Sequence, residues 1–256
     1  MADVPLTLAC HVYDRTRAIR DGSIPVEGVQ VTFLPLHVTE IFWRMCQYHE
    51  FEAAEMSMGA HLTLIGRGES PFVGVPVFPS RVFRHANMFV RAGGGIERPE
   101  ELRGRRIGVP EYGMTACVWM RAILHHEYGV APQEVSWCTG GQEVPGRKER
   151  VVVRRDVYAR HPWVAQSLFK AFSRAKAEVG RALADNDMLT CMLPWSSYDL
   201  EVTRRLMGQD FWPYGVEPNR KILEAMCQYT YEQGLTPRRV GVEELFAPNT
   251  AEAWRQ

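Results

Sequence analysis

The stretch GVPEYGMTACVWM, residues 108–120, sets a carboxylate, a phenol and a hydroxyl between two apolar segments. Arg105 to Val109 reads as a strand, and the residues from Thr115 onward read as a helix. Glu111, Tyr112 and Thr115 therefore stand at a strand-to-helix joint, where open α/β sheets bind their ligands. A helix starting at Thr115 would aim free N–H groups and the positive end of its dipole at that place, which suits a carboxylate or a phosphate. Thr115 can serve as N-cap of this helix or as a ligand donor. The other expected strand ends are polar too. They read His11-Val12-Tyr13-Asp14-Arg15-Thr16-Arg17, then His37, then Glu55-Met56-Ser57, then Pro79-Ser80-Arg81 followed by Arg84-His85. Basic and hydroxyl residues at successive strand ends predict a cleft for an anionic small molecule, with arginine as the bidentate carboxylate partner.

The elements that must position these residues follow from periodicity and turn signals. Leu6–Cys10, Val29–Leu34, Phe51–Met56 and Phe72–Phe78 read as strands. Between them fall a short helix at Thr16–Arg20, a helix capped by Thr39, and another at Leu62–Ile65. This alternation predicts an α/β fold with a parallel sheet. Asn87–Arg91 reads as a strand leaving that unit, and Pro99–Leu102 as a helical turn. The helix from Thr115 carries Ala116, Trp119, Met120, Ile123 and Leu124 on one side and ends at Gly129. Val135–Cys138 and Val151–Val153 read as short strands. Helices follow along Val164–Val179, Asp199–Met207 and Pro218–Gly234. The aromatic cluster Tyr198, Trp212, Tyr214, Tyr229 and Tyr231 reads as packing.

Composition narrows the function classes. The 256 residues hold 30 basic and 30 acidic side chains, so neither nucleic acid nor an anionic membrane is an expected partner. The six cysteines form no C-x-x-C pair and are expected to be reduced, mostly buried thiols. The start, Met-Ala-Asp-Val-Pro-Leu, has neither the basic nor the apolar region of a secretion leader, which predicts a cytoplasmic protein. There is no G-x-G-x-x-G, no P-loop and no H-E-x-x-H. His125 and His126 are adjacent on a helix and expected to point to different faces, so no metal is expected. No redox motif or defined pyridoxal-phosphate lysine is present, and no cofactor is expected.

The segments PVFPSRVFRHANMFV, PEELRGRRIGVPEYGMTACVWMRAIL, YGV, DFWPYGVEPNRKILEAM, YEQGLTPRR and VEELFAP together resemble the 4,5-dihydroxyphthalate decarboxylase family. The resemblance runs from LACHVYDRTRAIRDG to LFAP, nearly the whole chain. It implies a two-lobed, type II periplasmic-binding-protein-like α/β fold around a ligand cleft. The L-x-G-x-R-I-G-V-P-x-Y element is shared across that superfamily, whereas FPSR-x-FRH and WPYG-x-x-PNR are more specific to the decarboxylase-like group. It further implies a first lobe made of residues 1–83 and 154–256 and a second of residues 84–153. Family members are longer, so the second lobe is expected to be shortened, with the missing segment at Arg150–Val151.

The activity implied is cofactor-independent loss of CO2 from a hydroxylated aromatic diacid, 4,5-dihydroxyphthalate giving protocatechuate. One carboxylate must be anchored, the phenol para to the leaving carboxylate must push electrons into the ring, and an acid must protonate the ring carbon. The anchor is expected on Arg81, Ser80 and the helix start at Thr115, beside Tyr112. His85 and His11 are the expected proton carriers. Glu111 or Asp14 would take the phenolic proton or orient a histidine. Arg15 and Arg17 would meet the second carboxylate, and Trp212 and Tyr214 would stack on the ring. A solute-binding protein without chemistry, or another lyase on the same fold such as those of menaquinone biosynthesis, are the alternatives. A shortened lobe would leave apolar surface that favours homo-oligomers.

Overall fold

The structure, a computed structural model, describes residues 3–140, 152–184 and 195–250. In chain order its elements are β1 (Val4–Cys10), α1 (Arg17–Arg20), β2 (Val29–Pro35), α2 (Val38–Tyr48), β3 (Ala53–Ala54), α3 (Met58–Arg67) and β4 (Phe72–Val73). Then come β5 (Arg106–Val109), α4 (Thr115–Tyr128), β6 (Ser136–Thr139), β7 (Val152–Arg154) and α5 (Arg155–Arg160). The long α6 (Trp163–Ala184), α7 (Ser196–Met207) and α8 (Arg220–Glu232) follow. Among the described residues no helix is long and apolar enough to cross a membrane.

Five strands form one sheet in the order β2-β1-β3-β7-β4. β1 runs parallel to β2 and β3, as the strand–helix alternation predicts. β7 enters antiparallel between β3 and β4, which periodicity did not announce. Successive strand residues face opposite sides of a sheet. Leu6, Leu8 and Cys10 accordingly join Ala53 and Val153 on one face, packed with Val164, Leu168, Phe169 and Phe172 of α6. Ala9, Ala54 and Val152 point the other way, onto Ile41 and Met45 of α2 and Leu64 of α3. A second sheet holds, among the described residues, β5 and β6, parallel to each other. Its small core is Leu124, Val130 and Val135, with Ile107 and Trp137 partly covered. A fourth cluster joins α3, α4 and α8 through Leu62, Val118, Leu223 and Met226.

Several expected boundaries move. α2 is capped by His37, whose Nδ1 accepts from the Thr39 amide, so Thr39 is not its cap. The strands expected at 51–56 and 72–78 shrink to two paired residues each. Pro76 has no N–H for a ladder, and Gly74 instead bridges to Phe246. No strand forms over Asn87–Arg91: a 3-10 turn covers Arg84–Asn87, and Phe89 beyond it is 87% exposed. α4 keeps its predicted start and its Gly129 stop, in the left-handed conformation at φ 67°. Its buried face is different, however: Cys117, Val118, Arg121, Ala122, Ile123 and Leu124. Arg121 is inside because its guanidinium lies 3.7 Å from the centre of the Tyr112 ring and donates to Tyr112 O and to Gln233 Oε1 at 2.7 Å each. Hydrophobic periodicity does not register an arginine stacked in this way. Of the cysteines, Cys10, Cys117 and Cys227 are buried and Cys138 is exposed. Cys191 and the Arg150–Val151 junction lie outside the described residues.

Candidate functional site

A cleft of about 280 Å³ opens at the carboxyl ends of β1 and β3, beside the starts of α3 and α4. Its polar lining is Tyr13, Glu55, Ser57, Ser80, Arg84 and Thr115. Phe42, Phe78 and Phe246 are the aromatic part of its lining. The volume lies near the lower end of the range of small-molecule sites, about 300–1,000 Å³, which suits a single ring and not a dinucleotide.

One wall is built by two helix N-termini at very close approach. The Thr115 hydroxyl accepts from the Gly59 amide at 2.9 Å and lies 2.7 Å from the Ser57 hydroxyl. Thr115 thus caps α3 from the neighbouring helix, whereas the N-cap position of its own helix is Met114. Contact this close requires glycine at position 59, because a Cβ there would stand 2.6 Å from Gly113 O. The remaining first-turn N–H groups have no partner within their own helices, and both dipoles present their positive ends. Arg84 adds a guanidinium to the cleft lining, and burial pulls its pKa down.

A second wall is carboxyl and phenol. Glu55 is only 4% exposed. It accepts from Tyr13 Oη at 2.7 Å, from the His11 amide at 3.2 Å and from the Cys10 thiol at 3.5 Å. Burial outweighs these three donors and raises the Glu55 pKa above the ordinary carboxyl range. Burial and the neighbouring Glu55 also push the Tyr13 phenol upward, while the Ser80 hydroxyl bonds to that phenol and opposes the shift. Burial thus favours the protonated forms on this wall.

Several residues singled out by sequence stand elsewhere. Arg81 turns away from the cleft: its Nη2 donates to Pro213 O at 2.8 Å and to Asn219 Oδ1. The FPSR and WPYG-x-x-PNR segments are thereby tied together, and the arginine presented to the cleft is Arg84, three residues on. His85 is exposed and paired with Glu127 at 3.2 Å. His11 backs onto Glu55 through its amide, and its ring contacts Leu36 O at 3.2 Å. Glu111 is buried outside the cleft lining. Tyr112 stacks on Arg121, as described above. Asp14 and Arg17 are exposed.

Arg15 is wedged between the Tyr13 and Trp212 rings, 4.4 and 4.6 Å from their centres, and its Nε donates to Pro79 O at 2.5 Å. It braces the wall from behind. Trp212 Nε1 donates to Phe78 O at 2.9 Å, and Tyr214 is 1% exposed in the core, so neither is among the aromatic residues that line the cleft. Ser80 and Thr115 do line it, as expected. Sequence reasoning passed over Glu55, Tyr13 and Arg84 as site residues. The parallel register that pairs Ala9 with Ala54 was the signal for Glu55, since it sets Glu55 beside Cys10 and His11.

No family model matches the chain. A curated relative from Comamonas testosteroni, 4,5-dihydroxyphthalate decarboxylase, is 30% identical across all of both chains. That alignment spans 329 positions against 256 residues here, so at least 73 (329 minus 256) face no residue of this chain. A protein of the same name from Pseudomonas putida is 38% identical over 154 residues, 60% of each chain. Among solved structures, the alkanesulfonate-binding protein SsuA from Xanthomonas axonopodis pv. citri, bound to MOPS, aligns with a TM-score of 0.55 at 11% identity, covering 97% of this chain and 98% of that one. The periplasmic aliphatic sulphonate binding protein SsuA from Escherichia coli aligns with a TM-score of 0.56, also at 11% identity, covering 98% and 99%. These two likenesses establish the periplasmic-binding-protein-like α/β fold. With full-length identity to a curated relative, the chain belongs to the 4,5-dihydroxyphthalate decarboxylase family.

Proposed function

We propose that this protein decarboxylates a hydroxylated aromatic diacid of the 4,5-dihydroxyphthalate type, giving protocatechuate and CO2. Family membership supports the reaction class. The observation that carries the reading is that anion-holding donors and a buried carboxyl that favours its proton line one small cleft together.

One substrate carboxylate sits at the first turns of α3 and α4 and against Arg84, with the Ser57 and Thr115 hydroxyls beside it. The ring lies among Phe42, Phe78 and Phe246. The hydroxyl para to the leaving carboxylate pushes an electron pair into the ring, and the ring carbon uses it to take a proton from Glu55. The bond to the carboxylate then breaks, its electron pair restores the aromatic ring, and CO2 departs. Glu55 regains its proton from water by way of Tyr13, so each turnover consumes one proton. A positioned acid of this kind contributes roughly 10²–10⁴-fold, and fixed donors around the developing charge add to it. No step in this scheme calls for a cofactor or a metal. This reading keeps the two lobes at 1–83 with 154–256 and at 84–153, and assigns the residues missing relative to the relative to the second lobe. It also places the protein in the cytoplasm, with a small aromatic carboxylate as partner and self-association through the second lobe.

The test is incubation of the 256-residue protein with 4,5-dihydroxyphthalate, reading CO2 and protocatechuate together, with thermal stabilisation recorded alongside. Equimolar release of both is the expected outcome. Stabilisation without release selects the solute-binding alternative, and release only from other acids in a panel selects another lyase.

A further inference from the structure

The far end of α4 carries a second constellation. His125, His126 and Glu232 are exposed, and one potential ligand atom from each lies within 4.8 Å of the other two. The two imidazoles do not point to different faces as their adjacency suggests. Their rings are 4.6 Å apart and tilted by only 34°. His126 Nε2 stands 3.0 Å from Glu232 Oε2, and its ring stacks at 5.0 Å on Tyr229, which Trp119 of α4 meets edge-on from another side. Glu232 Oε1 accepts from Gln228 Nε2 at 2.6 Å, which orients the carboxylate.

We propose that His125, His126 and Glu232 form a binding site for a divalent transition ion of the zinc type, joining the end of α4 to the end of α8. Two imidazoles and one carboxylate are a normal zinc donor set, with water completing the tetrahedron. Bonds of about 2.0–2.1 Å put tetrahedral ligand atoms about 3.3 Å apart, close to the separation His126 and Glu232 already have. Only His125 has to move, by a side-chain rotation open to an exposed ring. Tyr229 and Gln228 orient two of the ligands, as outer groups do in built sites. Glu127, held on this surface by His85, adds negative charge beside Tyr229. The site lies about 17 Å along α4 from Thr115, so the ion would not touch the cleft. It would instead fix the helix whose other end forms the anion wall. This proposal does not depend on the decarboxylase reading.

Zinc ion alone, titrated into the full 256-residue protein in competition with a chromophoric chelator, provides the test. Expected are one tight equivalent and a rise in Tm of about 5 °C at hundredfold excess over Kd. His126→Ala and Glu232→Gln should each weaken that equivalent at least tenfold and abolish the Tm rise. His125→Asn, a third exposed substitution, should do the same, while circular dichroism without zinc stays that of the parent. Absence of a tight equivalent, or affinity unchanged in these variants, overturns the proposal.

Discussion

On the sheet side of the cleft, Glu55 sits among a phenol, a thiol and a backbone amide, with no guanidinium or lysine bonded to it among the described residues. On the helix side, two dipole ends, two hydroxyls and Arg84 converge. The first wall resists becoming charged, because burial penalises the carboxylate more than its three donors stabilise it. The second wall is built for a charge that arrives with the ligand. The same family of strand-end loops thus yields one part of the lining that favours its protons and another that suits an anion. What separates them is how deeply each loop is buried, and polar residue content alone does not reveal it.

Removing the proton from the first wall is the largest break available. Glu55→Gln keeps the shape and the Tyr13 hydrogen bond, and is expected to lower kcat by about 10²–10⁴-fold with little change in KM. The same substitution tests the linkage. Because folding raises the Glu55 pKa from its usual 4.5, its contribution to stability is complete below pH 4.5 and is lost as pH rises through the folded value. Thermal melts of the parent should show this decline, and those of Glu55→Gln should not. Activity of the parent should fall over the same upper limb, as the acid loses its proton.

Weakening the second wall should act mainly on binding. Arg84→Ala is expected to raise KM by about 10–100-fold with a smaller effect on kcat, separated by steady-state kinetics over a range of diacid concentrations. Gly59→Ala attacks the same wall through its backbone. The added methyl meets Gly113 O, so the two helix starts must part, at a cost of about 1–3 kcal/mol in denaturant unfolding. Arg81→Ala leaves Asn219 without its guanidinium partner and should cost about 1–2 kcal/mol of stability, with KM near that of the parent once the variant is folded. His85→Ala should be the mildest, with turnover within about twofold of the parent, as for surface sites generally. Should Arg81 and Arg84 exchange these two signatures, the assignment of walls would be wrong.

Much of the scaffold was legible because it rests on periodicity. The alternation in LTLAC and VQVTF, and the apolar repeat from Val164 to Phe172, gave β1, β2 and α6 close to their observed ends. Pairs of residues distant in sequence were not legible. Arg81 and Arg84 look equivalent in FPSRVFRH, and only the position of Asn219, 138 residues away, shows which one is captured. Glu55 looks like any strand-end carboxylate until the β1–β3 register sets it beside His11. Arg121, the most deeply buried cation among the described residues, was invisible because it packs on a tyrosine ring and a carbonyl. His85 and His11 were attractive for their chemistry, but intrinsic pKa says nothing about the direction a ring faces.

The entry of β7 between β3 and β4 also dictates how the chain can be made. The first 73 residues contain four strands but not the one that joins β3 to β4, and Gly74 must wait for Phe246. A nascent chain that has reached only the end of β4 therefore holds two pieces of an unfinished sheet, and the ribosome must deliver residues 152–154 before they can close. Such long-range closure is slow but only weakly sensitive to the length between, each doubling of a loop costing about 0.6 kcal/mol. Relatives can thus carry excursions of quite different size out of the same sheet, provided that one short antiparallel strand comes home to the same gap.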